Sequence, residues 1–518
     1  MRTFTNYLAR AAAVLLLAVF GSIGAWAETN AAGGGTSNKI VVVSDMHVMA
    51  PNLLESGAET QDAWLNYYAG QRKMVQQSAA IFDQFMNQMK VLQPKVLLIT
   101  GDLTKDGETA SHNYVRDGLQ TLKNAGIKVF VIPGNHDFGA EGNHTQFNAD
   151  GTTENAEVLT TSQFATFYNG YGYGDAGSEY DPNSLSYVAE PTEGLALLAI
   201  DSHSASISDE TLEWISTKAK AARNAGKQVI AMMHHPLFPH ITGANLFIDT
   251  YTVANYGTVR DALIEAGVNT ILTGHFHTSD IAKDWKDDET KSIYDVNTGS
   301  LISYPCDYRV LTPSTNMMTL GVETANIVPT GMTADACKTW LHDRMKNIAT
   351  QKMNAKAGSM ASMVATQIGN IAEFASNLFV LHAEGDENTS ADRDGLVSAY
   401  NALKGDNLSN ILITAGGITD ASIYSILDDK SNYGTEKENL TSDRTLSITF
   451  PDASLLYLRG DINGDLRINV TDIVYLISHL KDNIMLPGFN MEAADADGSG
   501  TVDDADIEAL KEMILSNP

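Results

Sequence analysis

Five short runs of this chain carry residue types that bind cations and move protons. They are Asp45-Met46-His47, Gly101-Asp102, Gly134-Asn135-His136-Asp137, His234-His235-Pro236 and Gly274-His275-Phe276-His277. Each follows a short apolar run of the kind that forms a buried strand. Ligands of open α/β sheets gather outside the carboxyl ends of the strands. Five strand ends thus deliver two Asp, one Asn and several His to one sheet edge. Carboxylate, amide oxygen and imidazole together suit two divalent or trivalent transition metals. Two look-alikes are set aside. Gly142-Asn143-His144 lacks the following Asp and a preceding strand. Asp201-Ser202-His203 falls out of order between the third and fourth runs, so His203 is expected to be a loop or groove residue.

The elements that must position these residues alternate. Apolar runs at Ile40–Val43, Val96–Thr100, Val129–Ile132, Leu195–Ile200, Val229–Met233 and Val268–Thr273 are separated by helical stretches. One such stretch, Gln71–Val91, places Met74, Ile81, Phe85 and Met89 at helical spacing. Strand–helix alternation predicts an α/β sandwich or doubly wound sheet. A last strand pair is expected at Ser292–Val296 and Leu301–Tyr304, around Thr298-Gly299. An Ala- and Met-rich segment from about Thr333 to Leu403 reads as helical, and Leu446–Phe450 as a strand.

The 518 residues allow two to four domains. A net charge of −29 argues against general binding to nucleic acid or anionic membranes, both polyanions. Arg2 and Arg10, the apolar core Ala11–Phe20 and Ala25-Trp26-Ala27 read as a signal peptide over 1–27, followed by a Gly-rich leader over 28–38. No later apolar run is long enough for a membrane span. The protein is therefore expected to be exported, to the periplasm or the medium. Cys306 and Cys337 are its only cysteines, too few for a thiolate cluster. They form either one disulfide or two buried thiols.

The ordered set D-x-H, G-D, G-N-H-D, H and G-H-x-H resembles the calcineurin-like metallophosphoesterase superfamily over about residues 39–310, within a domain expected to span 39–315. The resemblance implies a four-layered α/β/β/α sandwich with a dimetal hydrolytic site. Carried over motif by motif, Asp45, His47, Asp102 and His277 would hold one metal. Asp102, Asn135, His234 and His275 would hold the other, with Asp102 bridging. The ions would be Mn, Fe or Zn. A hydroxide shared by two cations is a nucleophile at neutral pH. It would attack the phosphorus of a phosphoester substrate. His136 would protonate the leaving oxygen, and Asp137, directly after it, would orient the imidazole. Purple acid phosphatases carry Tyr three residues after the bridging Asp; here that residue is Lys105. The motif forms look more like the phosphodiesterase-type branch. A phosphomonoesterase or nucleotidase with the same site, and a non-catalytic assembly protein with a vestigial site, are the alternatives.

After a mainly helical accessory region over 316–450, composition shifts at 459–518, which holds 12 acidic and 4 basic residues. Asp461, Asn463, Asp465, Arg467 (through its carbonyl), Asn469 and Asp472 occupy positions 1, 3, 5, 7, 9 and 12 of a calcium loop. The template recurs 34 residues on as Asp495, Asp497, Ser499, Thr501 (carbonyl), Asp503 and Asp506. Each loop runs into a helical pattern. This duplicated unit resembles a type I dockerin, a small all-α module holding two Ca ions. The resemblance implies docking onto a cohesin-like protein; intramolecular docking is the other reading. Dockerins often carry Ser/Thr at positions 10 and 11, where this chain has Val470-Thr471 and Asp504-Ala505.

Overall fold

The computed structural model describes residues 38–516 except 140–141, 247–249, 287–290, 430–441, 452–458, 464–466 and 487–488. The expected signal peptide, 1–27, lies outside the described residues, as does most of the leader. In chain order the strands are β1 (Ile40–Val43), β2 (Val96–Ile99), β3 (Lys128–Val131), the hairpin β4 (Thr145–Phe147) and β5 (Thr153–Asn155), β6 (Glu179–Tyr180), β7 (Tyr187–Thr192) and β8 (Leu195–Ile200). They continue as β9 (Gln228–Met233), β10 (Thr270–Thr273), β11 (Asp280–Trp285), β12 (Ser292–Asn297), β13 (Asp307–Pro313), β14 (Thr319–Asn326) and β15 (Thr445–Thr449).

Two mixed sheets result. The first has the order β15-β14-β13-β1-β2-β3 and the second β11-β12-β10-β9-β8-β7-β6. Side-chain alternation along a strand explains how they stack. Leu195, Leu197, Ala199, Ile230 and Met232 of the second sheet join the cluster containing Val41, Val43 and Leu97. Ala196, Leu198, Ile200, Ala231 and Met233, on the opposite face, pack with Leu212, Ile215 and Val259 from helices Asp209–Asn224 and Tyr256–Glu265. Helices Ser78–Leu92 and Thr109–Asn124 bury Phe82, Phe85, Val115 and Leu119 with the first sheet. This is the expected α/β/β/α sandwich.

Three sequence expectations are corrected. Residues 71–77 are not helical beyond a short turn at Val75–Gln77, and the helix begins at Ser78. Leu301–Tyr304 forms turns, not a strand, and the strand after β12 is Asp307–Pro313. The boundary drawn at 315 falls inside the first sheet, because β14 pairs antiparallel with β13 and β15 with β14. The helical region therefore lies between two neighbouring strands of that sheet. Its helices Ala365–Glu384, Arg393–Gly405, Asn407–Ala415 and Asp420–Leu427 share a core with Phe276, the residue between His275 and His277. Cys306 and Cys337 are both buried free thiols.

Candidate dimetal site and calcium loops

Parallel pairing of β1, β2 and β3, and of β8, β9, β10 and β12, aligns the carboxyl ends where the five motifs emerge. The backbone there is bent into a conformation that side chains avoid. Asp45, His47, Asp102, His275 and His277 have φ of 50°, 37°, 50°, 72° and 71°. Left-handed non-glycine residues cost about 1–3 kcal/mol each and concentrate at functional sites. Cross-strand hydrogen bonds fix them: His47 N donates to the Asp102 carbonyl at 2.9 Å, and His275 N to Asp45 Oδ2 at 2.8 Å. Two glycines make room. A Cβ on Gly134 would lie 2.2 Å from Asp102 Oδ1, and one on Gly274 would lie 1.8 Å from Ser44 Oγ.

Two groups of donor atoms form around Asp102. In the first, His277 Nε2 is 3.2 Å from Asp45 Oδ1 and 3.1 Å from His47 Nε2. In the second, His234 Nε2 is 3.1 Å from Asn135 Oδ1 and 3.3 Å from His275 Nδ1. Asp102 Oδ2 is common to both, 3.4 Å from His47 Nε2 and 3.3 Å from His234 Nε2. All seven residues expected as metal ligands thus converge. His235 takes a different environment, against Ser202 Oγ at 3.2 Å, with its ring 4.4 Å from that of His275.

For Asp45, Asp102, His47 and His277 the charges suit cation binding, because ligands must be deprotonated. Burial pushes Asp45 and Asp102 up, but His277 and His47 beside the first and His234 beside the second hold both well below the usual carboxylate range. Burial pulls His277 down to about 3, and burial with Lys73 nearby pulls His47 to about 4. Burial also lowers His234, but Asp102 outweighs it and raises this imidazole to about 9. Two neutral Nε2 atoms facing each other at 3.1 Å, with Asp45 Oδ1 buried and lacking a hydrogen-bond partner, fit a cation between them.

The cleft over this site holds about 400 Å³. Its walls include Arg72, Lys73, His136, His203 and His235. Arg72 and Lys73 were hidden in what reads as a helix; a bend at these two residues, ahead of the short turn Val75–Gln77, brings them to the cleft instead. Lys73 Nζ lies 3.2 Å from His47 Nδ1. His203 proves to be a wall residue, held by Asp201 at 2.7 Å. Asp137 does not orient His136. Its carboxylate turns inward and accepts from Thr104 N (3.0 Å), Thr104 Oγ1 (2.8 Å) and Gly134 N (2.9 Å), which braces the Gly101-Asp102 turn. The carboxylate that meets His136 Nδ1 is Asp106, at 2.7 Å. Asp106 is in turn held by Lys105 Nζ at 2.8 Å. Its place four residues after Asp102 in a run of charged residues was the available signal.

In the C-terminal module, Asp495, Asp497 and Asp506 bring one carboxylate oxygen each within 4.8 Å of the others. Asp506 accepts from Asp497 N at 3.0 Å and Asp503 N at 2.8 Å, closing the loop. Ser499 and Thr501 sit within it, their hydroxyls 3.0 Å apart. Asp472 closes the first loop in the same way, accepting from Ile462 N at 2.7 Å and Asn469 N at 2.8 Å. Asp461, Asn463, Arg467 and Asn469 are described there; Asp465 lies outside the described residues. Helices Val470–Asp482 and Asp504–Ser516 follow the loops, and Leu476 and Leu510 share a small core.

Sheet order, strand-end site and paired acidic loops define two classes of module, and the comparisons agree. Residues 38–279 match the calcineurin-like phosphoesterase family, and residues 459–515 match the dockerin type I domain. The two matches fall in the order read from the motifs. No curated protein sequence matches it. Similar solved structures include a dimetal phosphatase from Danio rerio, at 12% identity and a TM-score of 0.40, covering 57% of this chain and 98% of that one. A purple acid phosphatase from yellow lupin (Lupinus luteus) seeds matches at 12% identity and a TM-score of 0.34, over 57% and 52% of the two chains. Vps29 from Entamoeba histolytica, complexed with zinc, matches at 12% and 0.23, over 57% and 94%.

Proposed function

We propose that the protein is an exported dimetal phosphoester hydrolase of the phosphodiesterase type, localised by its dockerin. The observation that carries the reading is the sharing of Asp102 Oδ2 between two donor groups. Asp45, His47, Asp102 and His277 would hold one transition-metal ion, and Asp102, Asn135, His234 and His275 the other. Bound there, such a pair supplies Lewis acidity and activates water for attack on a phosphoester.

The chain's own residues do the rest. Arg72 and Lys73 present cations to phosphate oxygens in a cleft where water screens them little. His136 stands partly exposed over the site and donates a proton to the leaving oxygen. Asp106 holds its Nδ1, which leaves Nε2 for the substrate. Lys105 is committed to Asp106 and Glu108, each at 2.8 Å, so the position that would carry a Tyr ligand in purple acid phosphatases serves the general acid instead.

The loops of the C-terminal module would take two Ca ions. Val470, Val474 and Ile477 line one exposed side of its first helix at i, i+4 and i+7, an apolar stripe fit for a cohesin-type partner. Initial rates on bis-p-nitrophenyl phosphate and p-nitrophenyl phosphate, with manganese added, test the enzymatic reading. A preference for the diester is expected. A preference for the monoester would move the protein to the phosphatase branch, and hydrolysis of neither by metal-loaded protein would leave the assembly role.

A further inference from the structure

A second group of acids is buried where the helical region meets the second sheet. Asp280 opens β11, three residues past His277. Asp429 follows helix Asp420–Leu427, and Asp443 precedes β15. One carboxylate oxygen from each lies within 4.8 Å of the others. Asp280 and Asp443 are 7% and 1% exposed. Ionised carboxylates at such depth are strongly disfavoured unless something offsets their charge.

Among the described residues, the neighbouring cations offset this charge only in part. His240 lies between Asp280 (3.3 Å) and Asp295 (3.1 Å), so two carboxylates share it. Arg309 donates to the Asn297 and Asp443 carbonyls and to Thr324 Oγ1. Arg444 reaches Asp307 and the Glu384 carbonyl.

Donor atoms without partners face the same cluster. His382 and Glu387, 3% and 2% exposed, join through His382 Nδ1 and Glu387 Oε1. That leaves His382 Nε2 and Glu387 Oε2 buried with no hydrogen-bond partner among the described residues. Asp280 and Asp429 are among the charges that act on both residues, with His240 also acting on His382, as expected of groups packed near the cluster. Asn388 donates to Asp429 Oδ2 at 3.1 Å, and its own Oδ1 is buried with no partner among the described residues. The set is dominated by carboxylate and amide oxygens, the donors that hard divalent cations take.

We propose that Asp280, Asp429 and Asp443, with Glu387 and Asn388 beside them, form a buried calcium site that fastens the helical region to the sandwich just past the Gly274–His277 turn. The site is separate from the dimetal cluster and from the C-terminal loops.

The test uses the full chain carrying Asp461→Ala and Asp495→Ala, which disable the C-terminal loops, loaded with manganese and equilibrated with calcium. One calcium per chain is expected by elemental analysis, along with a thermal midpoint that rises with calcium concentration. Adding Asp429→Asn should remove that calcium and the calcium-dependent rise, while a cooperative transition remains. An unchanged calcium count in the Asp429→Asn protein overturns the proposal. Should that variant not unfold cooperatively, the loop-deficient protein decides alone: one bound calcium supports the site, and none overturns it.

Discussion

Asp106→Asn isolates the part assigned to His136. The substitution keeps an oxygen where Oδ1 sits 2.7 Å from His136 Nδ1, so the ring stays oriented. What it removes is the negative charge facing an imidazole that must carry a proton. A hydrogen bond to a charged group is worth about 1.5–3 kcal/mol. Asp106 is 3% exposed, so solvent screens little of this. At about 1.4 kcal/mol per tenfold in rate, a loss near 2 kcal/mol corresponds to roughly 30-fold in kcat. The loss should depend on the leaving group. p-Nitrophenolate departs without a proton and should feel little of it, whereas an alkoxide needs the proton and should feel all of it. The assay compares kcat for methyl p-nitrophenyl phosphate, followed by nitrophenolate release, with kcat for dimethyl phosphate, followed by methanol release. Equal losses on both esters, or none on either, would refute the role given to the Asp106–His136 pair.

Gly274→Ala places a Cβ 1.8 Å from Ser44 Oγ and 2.6 Å from Asp45 Oδ2, so it should cost bound transition metal and hydrolysis together; full metal content by elemental analysis would contradict this. Arg72→Ala should raise KM about tenfold or more and change kcat little, as loss of one charged contact to substrate predicts; an unchanged KM would remove Arg72 from substrate binding. Burial holds His112 down to about 4, while the unfolded side chain titrates near 6.5. The unfolded chain therefore takes up the proton first, and stability present above about pH 6.5 is lost as pH falls towards 4, by roughly 3 kcal/mol for this residue. Urea unfolding of His112→Gln should accordingly show a shallower pH dependence than the parent over that window. Asp506→Ala removes both the closing carboxylate of the second loop and the acceptor for two backbone N–H groups, so calcium content should fall by one ion per chain.

The strands that bear the motifs were legible because each is a short apolar run followed within three residues by Gly, Asp or His. Parallel pairing then put those residues at one edge. Periodicity misled at Gln71–Val91, where Met74 extends the spacing of a helix that starts only at Ser78. Arg72 and Lys73 enter the cleft through a chain path that no local pattern records. Adjacency misled at Asp137, because the tight turn Asn135–Phe138 points successive side chains in different directions and sends this one to Thr104. Asp106, 30 residues before His136, is its partner only after β2 and β3 pair. β14 was missed for a related reason, since its outer neighbour β15 lies beyond the whole helical region. The acidic loops of the C-terminal module were legible because their residues are local in sequence, although Asp465 lies outside the described residues.

Asp102 is the residue proposed to join two metal ions into one hydrolytic centre. Elemental analysis of the purified chain and of Asp102→Ala, each paired with its rate on bis-p-nitrophenyl phosphate, tests it most directly. Two transition-metal ions per parent chain, with both ions and the activity lost in the variant, is the predicted result. Full hydrolysis by Asp102→Ala, or a parent chain that is active with a single ion, would contradict it.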